Sequence, residues 1–283
     1  MIIIKIFVNI LIKLAKAFWY TFKVNRHQIA FWLGLLILFT VFRLPAFFTP
    51  HYYVDEGMYA SVAAMLHKGM LLYRDVYDHK PPLLFYIYAS FGNYRILFKA
   101  KLASFLLGLL TICLIFPVIK KLVNPKAARL STLFAAVLIG SNLLEGSIAN
   151  AEVFYLPLLV GALYFLVAVK QAKYFWAGLL LGIAFLIKFQ PILTALALGY
   201  FLFFENGNQS LNFKKLFPLE KCQRIGKLFL GVATPWLFWA LLEISRHNFG
   251  RFIQAAYLDA FSYSGYQFDT GNLLFNLLSS TLI

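Results

Sequence analysis

Residues 174–204 read YFWAGLLLGIAFLIKFQPILTALALGYFLFF, 31 positions with Lys188 as the single charge. At about 1.5 Å per residue one continuous helix of this length would measure about 46 Å. That is too long for one crossing of a hydrocarbon core of about 30 Å and short for two. Lys188-Phe189-Gln190-Pro191 resolves the mismatch, because proline disfavours helical backbone at the residue before it. The stretch therefore predicts two short apolar helices joined by a turn, with Lys188 in the turn.

Apolar stretches recur outward from this one, from Gln28 to the C-terminus, broken by short charged or Pro/Asn-containing links. With 61% hydrophobic, 18% aromatic and only 13% charged residues among 283, the chain has too little polar surface to coat a water-soluble globule. Lipid must be the solvent for most of it. An all-α polytopic transmembrane bundle follows, since an unclosed sheet leaves backbone groups unsatisfied in hydrocarbon. The formal charge of +15 does not indicate nucleic acid, because the basic residues come in bursts between apolar spans instead of one stripe. Cys113 and Cys222 are the only cysteines, which gives neither a disulfide framework nor a thiolate cluster.

Topology follows from the lysines and arginines. Lys5, Asn9, Lys13, Lys16, Tyr20 and Lys23 recur every three or four positions, so residues 1–26 predict an amphipathic helix lying on the inner leaflet. Residues 27–283 form the transmembrane domain, with an outer loop at 49–98. Gln28–Phe48 is the first span, held with a cytoplasmic N-terminus by Lys23 and Arg26. If both Pro81–Phe98 and Leu102–Ile119 crossed, Lys120, Lys121, Lys126, Arg129, Lys170, Lys173, Lys214 and Lys215 would fall outside, against the positive-inside bias. Pro81–Phe98 is therefore juxtamembrane or re-entrant. Further spans are expected at Leu130–Leu144, Val153–Val169 and Gly226–Ile244. Leu273–Ile283 starts another that stops in mid-membrane, which suggests a C-terminally incomplete chain.

This topology, chosen from basic residues, gathers Asp55-Glu56, Asp75, Asp78-His79-Lys80, Glu152, Lys188, Arg246 and Arg251 on the outer side. Asp55 precedes a helix at Glu56–Lys68 with Met58, Val62, Met65 and Leu66 on its apolar face and Gly69 at its end. It is either an N-cap or, with Glu56, one of a pair in which one carboxylate acts as a general base and the other orients or binds. Lys80 sits where a polar loop meets hydrocarbon, as a snorkelling lysine or as the partner of a lipid-borne phosphate. His79 beside Asp78 is a weak metal signal without a second spaced pair. Glu152 is a solvated loop carboxylate or a wall of the same vestibule. Lys188, a charge inside an apolar run, faces a cavity or a partner. Tyr52, Tyr53, Tyr73 and Tyr77 are expected as interfacial anchors.

The ordered set Asp55-Glu56-x-x-Tyr59-Ala60, Tyr73-x-Asp75-x-Tyr77-Asp78-His79-Lys80-Pro81-Pro82-Leu83-x-x-Tyr86, Glu152 opening a span, and Gly182 to Lys188 resembles the membrane GT-C glycosyltransferases. The resemblance covers about Gln28 to Arg251. It points toward protein O-mannosyltransferases and lipid A aminoarabinose transferases, including bacterial enzymes that decorate lipopolysaccharide cores. It implies an inverting transferase at the extracytoplasmic face of the plasma membrane, moving a hexosyl or pentosyl group from a polyprenyl-phosphate carrier to a lipid, glycan or protein acceptor.

Carried over by residue, Asp55 matches the catalytic carboxylate and Glu56 its neighbour, Lys80 the lysine near the carrier phosphate, and Glu152 the acid of a later outer loop. His79 stands where relatives have a carboxylate. Tyr59, His79, Lys188, Arg246 and Arg251 join Lys80 as candidate substrate or lipid-phosphate ligands. No cofactor is required, and the residues leave a divalent metal without support. The competing class is a transporter or flippase of lipid-linked sugars, with Lys188 lining a path and inverted repeats as its signature.

Overall fold

The computed structural model describes residues 26–48, 53–141, 146, 148–169, 173–204 and 219–259. The expected interfacial helix, Tyr52, Lys170, Lys214, Lys215 and the run Leu273–Ile283 lie outside the described residues. Those that are described form an all-α bundle, with one isolated bridge between Leu72 and Val76 as the only extended pairing among them.

Helix α1 (Arg26–Arg43) continues into a 3-10 turn (Leu44–Phe47). Two short helices follow, α2 (Val54–His67) and α3 (Leu83–Ser90), and then the long α4 (Ile96–Leu122). The remaining elements are α5 (Pro125–Gly140), α6 (Ala151–Ala168), α7 (Lys173–Ile187), α8 (Pro191–Phe204), α9 (Leu219–Ser245) and the short α10 (Phe249–Ile253). Four described segments are long and apolar enough to cross a bilayer: Arg26–Phe47, α4, α6 and α9. Eight residues of α3 span about 12 Å, too short to cross, as expected for Pro81–Phe98. Ile96–Phe98, however, belong to the start of α4.

Local chemistry sets the boundaries. Gly69, at φ +84°, follows the last turn of α2, where only a residue without Cβ adopts the left-handed region freely. Asn124 accepts a bond from the Ala127 N–H at 2.8 Å and Pro125 opens α5, a favoured N-terminal pair. Lys188–Gln190 separate α7 from α8, and Pro191 begins α8. This is the turn expected from the 31-residue run.

Backbone approaches backbone where α7 crosses α9. A Cβ added at Gly178 would lie 1.9 Å from the Leu228 carbonyl oxygen, and one at Gly231 would lie 2.3 Å from the Phe175 carbonyl oxygen. Small residues at such crossings let helices gain dispersion contact that lipid cannot supply. Helix α7 also packs on α6, and α6 on α4. The result orients the ends: α1, α5, α7 and α9 finish where α2, α3, α4, α6 and α8 begin. Contacts that tie this end together include Lys101 to the Ala46 carbonyl at 2.8 Å and Arg43 to Ser104. Lys120, Lys121 and Lys126 fall at the opposite end, around the α4–α5 connection.

Candidate active site

Helix α2 starts two residues earlier than expected, so its N-cap is Tyr53, and Asp55 and Glu56 occupy its first turn. Asp55 is therefore not the cap. Its carboxylate still benefits from the unpaired N–H groups of that turn. The buried face of α2 is also rotated from expectation: it carries Glu56, Tyr59, Val62 and Ala63, while Met65 is exposed.

The loop between α2 and α3 is folded by its own polar side chains. The Asp75 carboxylate accepts the Leu71 N–H at 2.8 Å and pairs with Arg74, which holds its pKa down to about 2. Tyr73 takes φ +68°, a costly conformation for a residue with a Cβ. It is held there by an N–H bond to the Val76 carbonyl at 2.7 Å and by burial of its ring against Phe252. Its hydroxyl donates to the Lys80 carbonyl at 2.8 Å, and Asp78 accepts the Lys80 N–H at 3.0 Å. Tyr73, expected as a surface anchor, is thus a buried strut for Lys80. Tyr77 is exposed and donates to Asp259 at 2.9 Å.

The backbone of Lys80 being fixed, its ammonium lies 3.1 Å from Asp55 Oδ2 and 4.7 Å above the Tyr59 ring. The Tyr59 hydroxyl is 3.1 Å from the same Asp55 oxygen and 3.1 Å from Asn150 Oδ1. Asn150 caps α6 by accepting the Ala151 N–H at 2.8 Å. Two residues further along α6, Glu152 is paired with Lys188 at the end of α7. Lys80, Asp55, Tyr59 and Asn150 are thus linked by hydrogen bonds, and the first turn of α6 carries the polar chain on to the Glu152–Lys188 pair.

Glu56 lies behind this chain. It is 2% exposed, and its Oε1 accepts the Ala149 N–H at 2.6 Å while the buried Tyr88 hydroxyl donates to the Ala149 carbonyl at 2.6 Å. The clamp fixes the backbone beside Asn150. Burial drives the Tyr59 hydroxyl far above its usual range, with Asp55 adding to the rise, so it stays protonated and acts as a donor. Burial likewise raises the Asp78 carboxyl, opposed by Lys80 and His79.

Two expected ligands are engaged elsewhere. Arg246 bonds the Tyr86 hydroxyl at 3.1 Å and the buried Glu243 at 3.3 Å. Arg251 is exposed and acts electrostatically on Asp75. His79 sits half-buried beside Asp78. Among the described residues no three His, Cys, Asp or Glu side chains are placed to hold a metal ion. Asn150 was not singled out from sequence, although an Asn directly before an apolar run is an N-cap signal. Asn248, whose amide donates to the Leu72 carbonyl and to Glu243 at 2.8 Å each, ties the loop to α9 and carried no such signal.

Comparison with known families matches residues 79–239, more than half of the chain, to dolichyl-phosphate-mannose-protein mannosyltransferase. The chain belongs to this family. No curated protein and no solved structure matches it. The family match includes Lys80, Glu152 and Lys188, whereas Asp55 and Tyr59 precede it and Arg246 and Arg251 follow it. In this mannosyltransferase-family chain the matched half thus supplies both lysines of the polar chain, and α2 supplies the carboxylate that one of them contacts.

Proposed function

We propose that the chain transfers a sugar from a polyprenyl-phosphate carrier to a hydroxyl of a lipid, glycan or protein acceptor, at the extracytoplasmic face of the plasma membrane with its N-terminus cytoplasmic. The observation that carries this reading is the 3.1 Å contact between Asp55 and Lys80 within a chain of the mannosyltransferase family. The concentration of Lys120, Lys121 and Lys126 at the other end supports the orientation through the positive-inside bias.

In the proposed reaction the acceptor oxygen attacks the anomeric carbon and its proton passes to Asp55. The bond between that carbon and the phosphate oxygen breaks, and the lipid keeps the phosphate. Lys80 leaves Asp55 to neutralise the departing oxygen, so the same motion frees the base and stabilises the leaving group. A single displacement inverts the anomeric centre. Lys188 is the second cation near the carrier phosphate, and Glu152 holds it until the carrier arrives. Glu56 orients instead of reacting, because its oxygen is engaged with the Ala149 N–H.

The test uses the full chain in membrane vesicles with a labelled polyprenyl-phosphate sugar. Asp55→Asn should abolish appearance of label on acceptor while retaining carrier binding. Turnover persisting in that variant would refute the assignment of the base, and label that only changes leaflet would indicate a flippase.

A further inference from the structure

We infer that Asn150 is a positioning residue that sets the basicity of Asp55 by competing for the proton of the Tyr59 hydroxyl. The inference rests on the proposed role of Asp55 as the base.

The geometry is a hydroxyl with one proton and two acceptors. Tyr59 is 0% exposed, so its hydroxyl is sheltered from bulk solvent. Asp55 Oδ2 and Asn150 Oδ1 both stand 3.1 Å from its oxygen, and a hydroxyl donates to one at a time. The amide of Asn150 cannot simply reverse, because the same Oδ1 accepts the Ala151 N–H at 2.8 Å. It therefore presents an acceptor to Tyr59. The clamp on Ala149 by Glu56 and Tyr88 keeps that acceptor in place.

The consequence for Asp55 follows from what its charged form receives. With the hydroxyl turned to Asp55, Oδ2 accepts from both Tyr59 and Lys80, and such bonds lower a carboxylate's proton affinity. With the hydroxyl turned to Asn150, Lys80 remains as the side-chain donor to Asp55. When Lys80 moves to the carrier phosphate while Asn150 holds the hydroxyl, Asp55 receives neither bond and is a stronger base at the moment the acceptor proton must leave. The other groups around Asp55 are Asp78 and His79 of the loop, Glu56 on α2, Tyr88 on α3, and the Glu152–Lys188 pair of α6 and α7. None of these offers the Tyr59 proton a second acceptor.

The test is the pH dependence of kcat/KM in full-length protein carrying Asn150→Ser, Tyr59→Phe or both. Serine still caps a helix but is too short to reach the Tyr59 hydroxyl. Asn150→Ser leaves that hydroxyl on Asp55, so the acidic limb should move down by about one pH unit, with kcat reduced about tenfold and KM for the carrier little changed. Tyr59→Phe removes the donor and should move the limb up. In the double variant the limb should coincide with that of Tyr59→Phe alone, because the two residues act through one hydroxyl. An unshifted limb in Asn150→Ser, or an Asn150→Ser effect that persists undiminished in the Tyr59→Phe background, would overturn the inference. Failure of the proposed function itself reads differently: the unsubstituted chain would then transfer no sugar, or Asp55→Asn would remain active.

Discussion

The crossing of α7 and α9 should be the most sensitive packing contact in the described bundle, and Gly178→Ala tests it with one carbon atom. The added Cβ would sit 1.9 Å from the Leu228 carbonyl oxygen and 2.9 Å from its carbon, and ordinary contact begins near 3.4 Å. The obstacle is helix backbone, so the axes must part by about 1.5 Å. A gap of 0.5–1 Å already forfeits roughly a quarter to a half of a dispersion well, and overpacking costs about 1–3 kcal/mol. Losing contact along the rest of the crossing places the expected destabilisation at about 3 kcal/mol. Gly226→Ala is the control on the same α9, since a Cβ there meets nothing within 4 Å; it should be neutral or stabilising by up to about 1 kcal/mol, the helix-propensity difference. Thermal unfolding in detergent, followed by loss of helical circular dichroism, measures both. Because α7 ends one residue before Lys188, Gly178→Ala should also lower transfer activity. A Gly178→Ala protein within about 0.5 kcal/mol of the Gly226→Ala control would refute the close-crossing account.

Tyr73→Phe deletes the bond to the part-buried Lys80 carbonyl; transfer should fall and the loop should lose about 1 kcal/mol, seen as faster amide exchange at residues 71–80. Glu56→Ala should cost stability by orphaning the Ala149 N–H, whereas Glu56→Gln keeps an acceptor and should retain most activity; equal loss in both would assign Glu56 a charge-dependent role instead. Lys80→Gln should raise the KM for the carrier and lower kcat, and Lys80→Arg should recover part of both. The turn at Asp75 should depend on acid: with its folded pKa depressed from 3.8 to about 2, its contribution is complete above pH 3.8 and lost as pH falls through about 2. Pepsin cleavage of the loop, normalised at each pH to cleavage of an unstructured peptide, should therefore rise across that interval in the unsubstituted chain, and Asp75→Asn should abolish that normalised rise.

The stepwise legibility of the site has a physical basis. The Lys188–Pro191 break was legible because proline and the length of an apolar run act locally. Lys80 stood out as a charge at the edge of hydrocarbon. Asp55 lies within the first turn of α2 and the cap stands two positions earlier, because Tyr53 caps the helix without any side-chain bond, leaving no sequence mark at the true start. Tertiary packing turns Glu56 inward to Ala149, so two adjacent acids that look equivalent in sequence have different surroundings. Tyr73 looked like an interfacial tyrosine because nothing local announces that its ring would be buried against Phe252, 179 positions away in the chain.

The sequence by itself determined the solvent, the helical class, the approximate spans and which charges had to find partners, because each of these depends on short-range composition and on the width of a bilayer. Only the tertiary structure decided the pairings: Lys80 with Asp55, Lys188 with Glu152, and Tyr59 between Asp55 and Asn150. Those contacts join residues up to 91 positions apart, and their geometry is set by how α2, its following loop and the starts of α6 and α8 meet, a property of several surfaces together.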